Sequence, residues 1–534
     1  MSASRRHFLQ GAAAAAVLLR SGPDRVRAQS SARNKGTLKA VMQADLRSFD
    51  PVWTTATITG SHAALVYDTL FGLDEQQTPQ PQMVGRYGLS DDKLTYTFEL
   101  RDGLRFSDGS PVTSADCIAS MRRWAARDLA GQVLFQSVAD TPAKDERTFQ
   151  IVLRERYGLV LDTLGKTSNS LWIMRKKEAD TDPTQQISEI VGSGPYVFNR
   201  NATKMGATYV YDRNDSYRPR DGAPSGTAGA KIAKLDRIVW ENMADEQTAI
   251  AALQAGEIDF YETPPIEFID QLESDHGIKT EVLNKLGNVG FIRLNWLHPP
   301  FNNQKAREAM LYVVNQTDVM KAAFGNEKYF RTCNSLFGCG TNMENHENVG
   351  WSDHGQDLKK AAALFKESGY DGRPVVILQP TNLALLNTTA QLLAEWLKQA
   401  GVNAQLAASD WGGVVARRAV QAAPEQGGWN IFATWNPTST FASPVSFPGH
   451  AANGTKGFIG WPENAEWEAS RRAWTRAETL SERQEIAKKM QANGWNFVPE
   501  ILTGQFVAPV AYRANVRGFL RIPDLIPFWN VEKA

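Results

Sequence analysis

The chain has 534 residues, 42% hydrophobic and 10% aromatic, with 58 basic and 58 acidic side chains. At roughly 100–200 residues per domain this is enough for two to four globular domains with substantial cores. The basic residues gather into no run longer than Arg175-Lys176-Lys177, which argues against nucleic acid or anionic lipid as a partner.

The chain opens with Ser4-Arg5-Arg6-His7-Phe8-Leu9-Gln10 and a small apolar run from Gly11 to Leu19, a twin-arginine export arrangement. The run is far short of the roughly 20 residues a spanning helix needs. Val26-Arg27-Ala28 supplies the small-residue cleavage ending, so residues 1–28 are expected to be removed. The leader carries five of the 58 basic residues and one of the 58 acidic ones, leaving 53 against 57 and a net charge of −4. No Cys lies in or just after the leader to carry a lipid, so a freely diffusing periplasmic protein is expected.

Leu38 to Gln43 has strand character and leads into a polar loop, 45–59, that holds Trp53, Thr54 and Thr55. A helix is expected from about Ser61 to Leu70. Residues 94–100 alternate apolar with polar, the period of a half-buried strand, and Asp102-Gly103 turns it into a hairpin. Thr113 and Asp116 form an approximate capping box for a helix through Arg127 that carries Cys117 as a small buried side chain. Ala249 to Ala255 reads as a helix stopped by Gly256, with strand character resuming at 257–260. Two strands follow between Thr280 and Asn295, then a helix capped by Asn302.

The same α/β logic repeats downstream. Helices are expected at 358–368, 388–400 and over much of 463–493, with strands at 375–378, 402–407 and 429–435. The last forty residues are rich in Val, Phe, Ile and Pro and are expected to fold back onto the first lobe. Of the three cysteines, Cys333 and Cys339 bracket a short loop, and in an oxidising compartment a local disulfide is the economical reading. No further ligands cluster there, so no metal site and no cofactor are expected.

Several blocks in order resemble the family-five extracellular solute-binding proteins, the group that supplies peptide- and nickel-type ABC importers. They include Phe49-Asp50-Pro51, Tyr67-Asp68-Thr69-Leu70-Phe71, the stretch from Tyr96 to Gly109, and Gly192-Ser193-Gly194-Pro195-Tyr196. Ala252 to Asp259, Pro300-Phe301 leading into Ala306-Arg307-Glu308-Ala309, and Asp410-Trp411-Gly412 continue the series. The resemblance implies an α/β, two-lobed periplasmic-binding-protein (Venus-flytrap) fold with an extra subdomain inserted in the first lobe. The expected division is lobe I at 29–80 and 191–298, the inserted subdomain at 81–190, lobe II at 299–495, and a return to lobe I at 496–534. It further implies a monomer that takes a small-molecule or short-peptide ligand in the interlobe cleft and hands it to permease subunits at the inner membrane.

Catalytic signatures are missing: there is no Gly-x-Ser-x-Gly elbow, no His-Glu-x-x-His and no phosphate loop. An exported cofactor-containing enzyme and a transporter-independent sensor or chaperone are the alternatives. His346 and His354, eight residues apart in a Gly- and Asn-rich stretch, read as surface loop residues rather than metal ligands.

In α/β lobes the strand ends face the cleft. That places Trp411, Trp435, Asn436 and Thr438 on one wall and Trp53, Thr54 and Thr55 on the other, with Arg331 beside the Cys333–Cys339 loop as an anion-binding neighbour. Peptide-binding members of the resembled family place an Asp shortly after a strand-end Trp to pair with an α-ammonium. Here Trp435-Asn436-Pro437-Thr438-Ser439-Thr440-Phe441 holds no carboxylate. A blocked peptide, an opine-like or a sugar-linked compound is therefore expected over a free-amine dipeptide, unless an acid arrives from elsewhere.

Overall fold

A computed structural model describes residues 36–534, so the export leader and its cleavage point lie outside the described residues. Two large mixed sheets carry the architecture. The first has seven strands, in spatial order Ile278–Glu281, Val510–Arg513, Phe260–Tyr261, Thr37–Val41, Arg237–Glu241, Thr208–Arg213 and Tyr196–Phe198. Thr37–Val41 runs parallel to both Arg237–Glu241 and Phe260–Tyr261. The helix Glu246–Ala255 makes the crossover between those two neighbours. Asp245 caps its start by accepting from the Thr248 amide, and Gly256 ends it at φ 76°, where a Cβ would be strained. The strand expected at 257–260 is shorter and later, at Phe260–Tyr261.

The second sheet has six strands, ordered Phe330–Arg331, Ile501–Phe506, Asn288–Leu294, Ile431–Pro437, Val375–Pro380 and Ala404–Ser409. Its last pair is parallel and joined through the helix Ala384–Gln399, which lays Leu386, Ala390, Leu393 and Leu397 against the sheet. A third, four-stranded sheet (Val84–Leu89, Thr95–Leu100, Thr148–Leu153 and Val138–Asp140) builds the inserted subdomain. Tyr96, Phe98 and Leu100 point inward from alternate positions, and Phe98 packs against Phe149 with ring centroids 5.4 Å apart. The helix Ser114–Ala125 covers this sheet, and both halves of the Thr113/Asp116 capping box are made. Cys117 is buried on it and unpaired.

Sheet membership moves two of the expected lobe boundaries. Asn288–Leu294 was assigned to lobe I, yet it pairs with Ile431–Pro437 and Ile501–Phe506 in the second sheet. The chain therefore crosses at 282–287, not at 298/299. The return lies at 507–509, after Ile501–Phe506, rather than at 495/496. Val510–Arg513 then joins the first sheet, and the tail packs there through Phe519 and Phe528 against Phe260. The expected strand-end helix also shifts by one residue: Asn303, not Asn302, caps Gln304–Val313. The first helix begins earlier than expected, spanning Thr57–Val66.

Candidate functional site

A cleft of 1350 Å³ opens between the two large sheets, and its lining is drawn from both lobes and from the C-terminal segment. The first wall is built by Asp50. Its Oδ1 accepts from the amides of Val52 (3.0 Å) and Trp53 (3.3 Å), which folds the loop back on itself. Arg123 of the helix Ser114–Ala125 clamps the same carboxylate with both terminal nitrogens, at 3.0 and 2.7 Å. Burial works to raise the Asp50 pKa, but the hydrogen bonds and charge of Arg123, with the Ile187 and Val52 amides, overcome it and hold the group below its usual value. On this anchor Trp53, Thr54 and Thr55 line the cleft, with Trp53 39% exposed.

The second wall is set by strand register. Gly290 pairs with Trp435 and Val289 with Asn436, and both Trp435 and Asn436 line the cleft. Trp435 is 41% exposed and rests edge-on against Phe506, 6.2 Å between centroids. Trp411 opens the helix Trp411–Arg418, whose start is capped by Asp410 accepting from the Gly413 amide. Two turns later on the same helix face, the Arg418 guanidinium lies 5.3 Å from the Trp411 ring and 5.4 Å from Phe432. Among the described residues it forms no ion pair or side-chain hydrogen bond, its Nε is buried without a partner, and burial lowers its pKa.

Two expected site residues do not reach the cleft. Thr438 is fully buried and donates its hydroxyl to the Leu286 carbonyl at 2.8 Å, while its amide donates to Gly287 at 2.9 Å. It ties the second sheet to the crossing segment 282–287 instead of facing a ligand. Arg331 is exposed and spends Nη2 on the Cys339 carbonyl at 2.6 Å. Cys333 and Cys339 are joined by a disulfide, with Cα atoms 5.8 Å apart. His346 and His354 are both exposed, and no cluster of His, Cys, Asp and Glu suited to a metal ion occurs among the described residues.

Sequence reasoning missed the charged groups of the lining. Lys166 pairs with Asp128 at 2.5 Å, and Arg521 with Glu281 at 2.6 Å, so these cations are already satisfied. Asp524 is different. Its Oδ2 accepts from the hydroxyls of Ser439 and Thr167, and its Oδ1 is buried with no partner. Burial raises its pKa to about 6 against the opposing hydrogen bonds and the Lys166 charge. Arg418 had a readable signal, seven residues from Trp411 on one helix; nothing local in Ile522-Pro523-Asp524 points to Ser439.

The comparisons with known proteins agree with this geometry. The family model described as bacterial extracellular solute-binding proteins, family 5 Middle, matches residues 78–457. The chain is 46% identical over 537 residues to a probable peptide ABC transporter periplasmic-binding protein, y4tO, of Sinorhizobium fredii, covering 100% of both. In fold it is similar to the ABC transporter substrate-binding protein CtaP of Listeria monocytogenes, with a TM-score of 0.76 and 21% identity over 94% of this chain and 100% of that one. It is likewise similar to the periplasmic binding protein DppA of Helicobacter pylori in complex with the peptide STSA, at TM-score 0.74 and 20% identity over 93% and 98%. A two-lobed α/β chain with a cleft walled from both lobes, matched over most of its length by that model and end to end by that relative, belongs to the family-five bacterial extracellular solute-binding proteins.

Proposed function

We propose that this chain is the periplasmic, unanchored, monomeric receptor of an ABC importer that captures a small peptide-like or modified solute and delivers it to the membrane permease. The observation that carries the reading is the 1350 Å³ cleft with Trp53 on one wall and Trp411 and Trp435 on the other, three indoles able to close on a flat or apolar group. Arg418, which forms no ion pair among the described residues, supplies a partner for a carboxylate on such a solute. The 46% identical relative of Sinorhizobium fredii, named for peptide transport, supports the solute class. The twin-arginine leader supports the compartment, and among the described residues no helix is long and apolar enough to cross a membrane.

Closure follows from what holds the far rim. The inserted subdomain meets lobe II through Lys93–Glu478, Arg476–Glu155 and Arg483–Asp162, and the Gly158 amide donates to Thr475. The first two pairs are about half exposed, and pairs of that kind contribute roughly 0–1 kcal/mol each. Exposed pairs this weak do little to hold the rim shut, which lets a ligand that touches both walls shift the balance between open and closed lobes. Small-angle scattering tests it, using a ligand found by calorimetry across short peptides, opine-like and sugar-linked compounds. Compaction on saturation is expected, and an unchanged profile at saturation would refute the capture mechanism.

A further inference from the structure

Of the five cations in the cleft lining, Lys166 and Arg521 are ion-paired, while Arg127, Lys285 and Arg418 form no ion pair among the described residues. On the acidic side Asp128 and Glu281 are consumed by those pairs. Asp74 accepts from the amides of Gln76 and Thr78 and from Gln80 within its own turn. Among the described residues of the lining, Asp524 is the one that keeps a buried carboxylate oxygen without a partner. A buried acceptor left unmade carries a desolvation cost that a native protein seldom bears without a use. The residue also sits at φ 68°, in the left-handed region that few side chains enter, which holds the carboxyl at a set place.

The placement of Asp524 is as informative as its unpartnered oxygen. It rides on the C-terminal segment that packs on the first sheet, and one of its hydroxyl partners, Thr167, comes from the same side. The other, Ser439, follows the strand Ile431–Pro437 of the second sheet. The carboxylate thus spans the two lobes inside the cleft. Ser439 belongs to the stretch 435–441, which has no acid of its own, so the missing charge is delivered to that stretch from 85 residues downstream. Lys166 is the cation nearest in effect, and Asp128 already holds it.

We propose that Asp524 is the cation-reading group of the cleft: its free oxygen pairs with a protonated amine on the solute, and Ser439 and Thr167 position it for this. The assignment rests on the solute-capture reading and narrows it to ligands that carry a basic nitrogen. It reverses the expectation of an amine-free solute, which held only if no acid came from elsewhere. An ammonium leaving water needs a charged partner on arrival, and Asp524 is the buried carboxylate of the lining with an oxygen to spare, whereas Glu75 is exposed and keeps its solvation. Its link to Ser439 makes the same contact report to both lobes.

The test is calorimetry on the full mature chain with a panel of di-, tri- and tetrapeptides bearing a free amino terminus, each matched to its N-acetyl form. The free-amine members are expected to bind the wild type about 30-fold or more tightly than their acetylated partners. Asp524→Asn should erase most of that preference with the melting temperature of the empty protein held or raised, since it removes a buried, half-satisfied charge. Ser439→Ala keeps the carboxylate and should retain the preference at reduced affinity. Equal binding of free and acetylated peptides, an unaltered preference in Asp524→Asn, or no free-amine member bound at all would each overturn the assignment. Compaction in scattering with an acetylated or other amine-free compound would leave solute capture standing while this assignment falls.

Discussion

Replacing Arg123 with Ala removes the group that neutralises Asp50 beneath the first wall of the cleft. Arg123 is 3% exposed and Asp50 1%, and the pair shares two hydrogen bonds at 3.0 and 2.7 Å. Arg123 further donates to the carbonyls of Thr181 (3.0 Å) and Gln185 (2.9 Å). Breaking a buried pair from one side costs about 3–5 kcal/mol, because the remaining charge stays buried without its counter-ion. Asp50 retains the amides of Val52, Trp53 and Ile187, which places the expected loss near the lower end of that range.

The pH dependence gives the loss a signature. In the wild type the folded pKa of Asp50 is depressed, so the stability from the pair is present above the unfolded carboxylate value and is lost as pH falls through the folded value. Without Arg123, burial dominates and the folded pKa rises above the unfolded one. The penalty is then greatest at neutral pH and shrinks as acid neutralises the carboxyl. Urea unfolding of both proteins at pH 7 and pH 4.5 reads this directly, and Asp50→Asn should cost far less in the Arg123→Ala background than alone. A loss under about 1 kcal/mol, or one unchanged between the two pH values, would refute the reasoning.

Two further outcomes are expected. Thiol titration of the denatured, unreduced protein should find one reactive group, Cys117, since Cys333 and Cys339 are bonded to each other; three would refute the disulfide. Trp435→Ala should weaken ligand binding by about tenfold or more while costing less stability than loss of the fully buried Trp467, for which truncation costs roughly 3–5 kcal/mol. Affinity within about threefold of wild type, roughly 0.7 kcal/mol, would remove Trp435 from the wall.

What could be read from the sequence was whatever one element decides alone. The alternation at 95–100, the Thr113/Asp116 box and the Gly256 stop all appear where local chemistry puts them, because period, capping and left-handed backbone are satisfied within a few residues. Lobe membership was not decided that way. Asn288–Leu294 carries the same apolar pattern whichever sheet receives it, and only its pairing with Ile431–Pro437 and Ile501–Phe506 assigns it to the second.

The site residues divide along the same line. Trp53, Trp411 and Trp435 could be placed on the cleft lining, though not as ligand contacts, because large aromatic side chains at loops and strand ends either fill cores or wall clefts, and the strand-end rule chooses between the two. Thr438 failed because a hydroxyl beside a crossing segment has a backbone carbonyl to satisfy first. The Leu286 oxygen, 2.8 Å away, claims it and fixes the place where the chain passes between lobes. Asp524 lay out of reach for the opposite reason: its partner Ser439 is 85 residues away, and the two meet only because Val510–Arg513 carries the tail back to the first sheet. The C-terminal return therefore does more than finish the first lobe. By bringing a carboxylate to a stretch that has none, it ties Ser439 of the second lobe to Thr167 of the first, so that under the proposed assignment a solute amine at Asp524 would bear on the contact between the lobes.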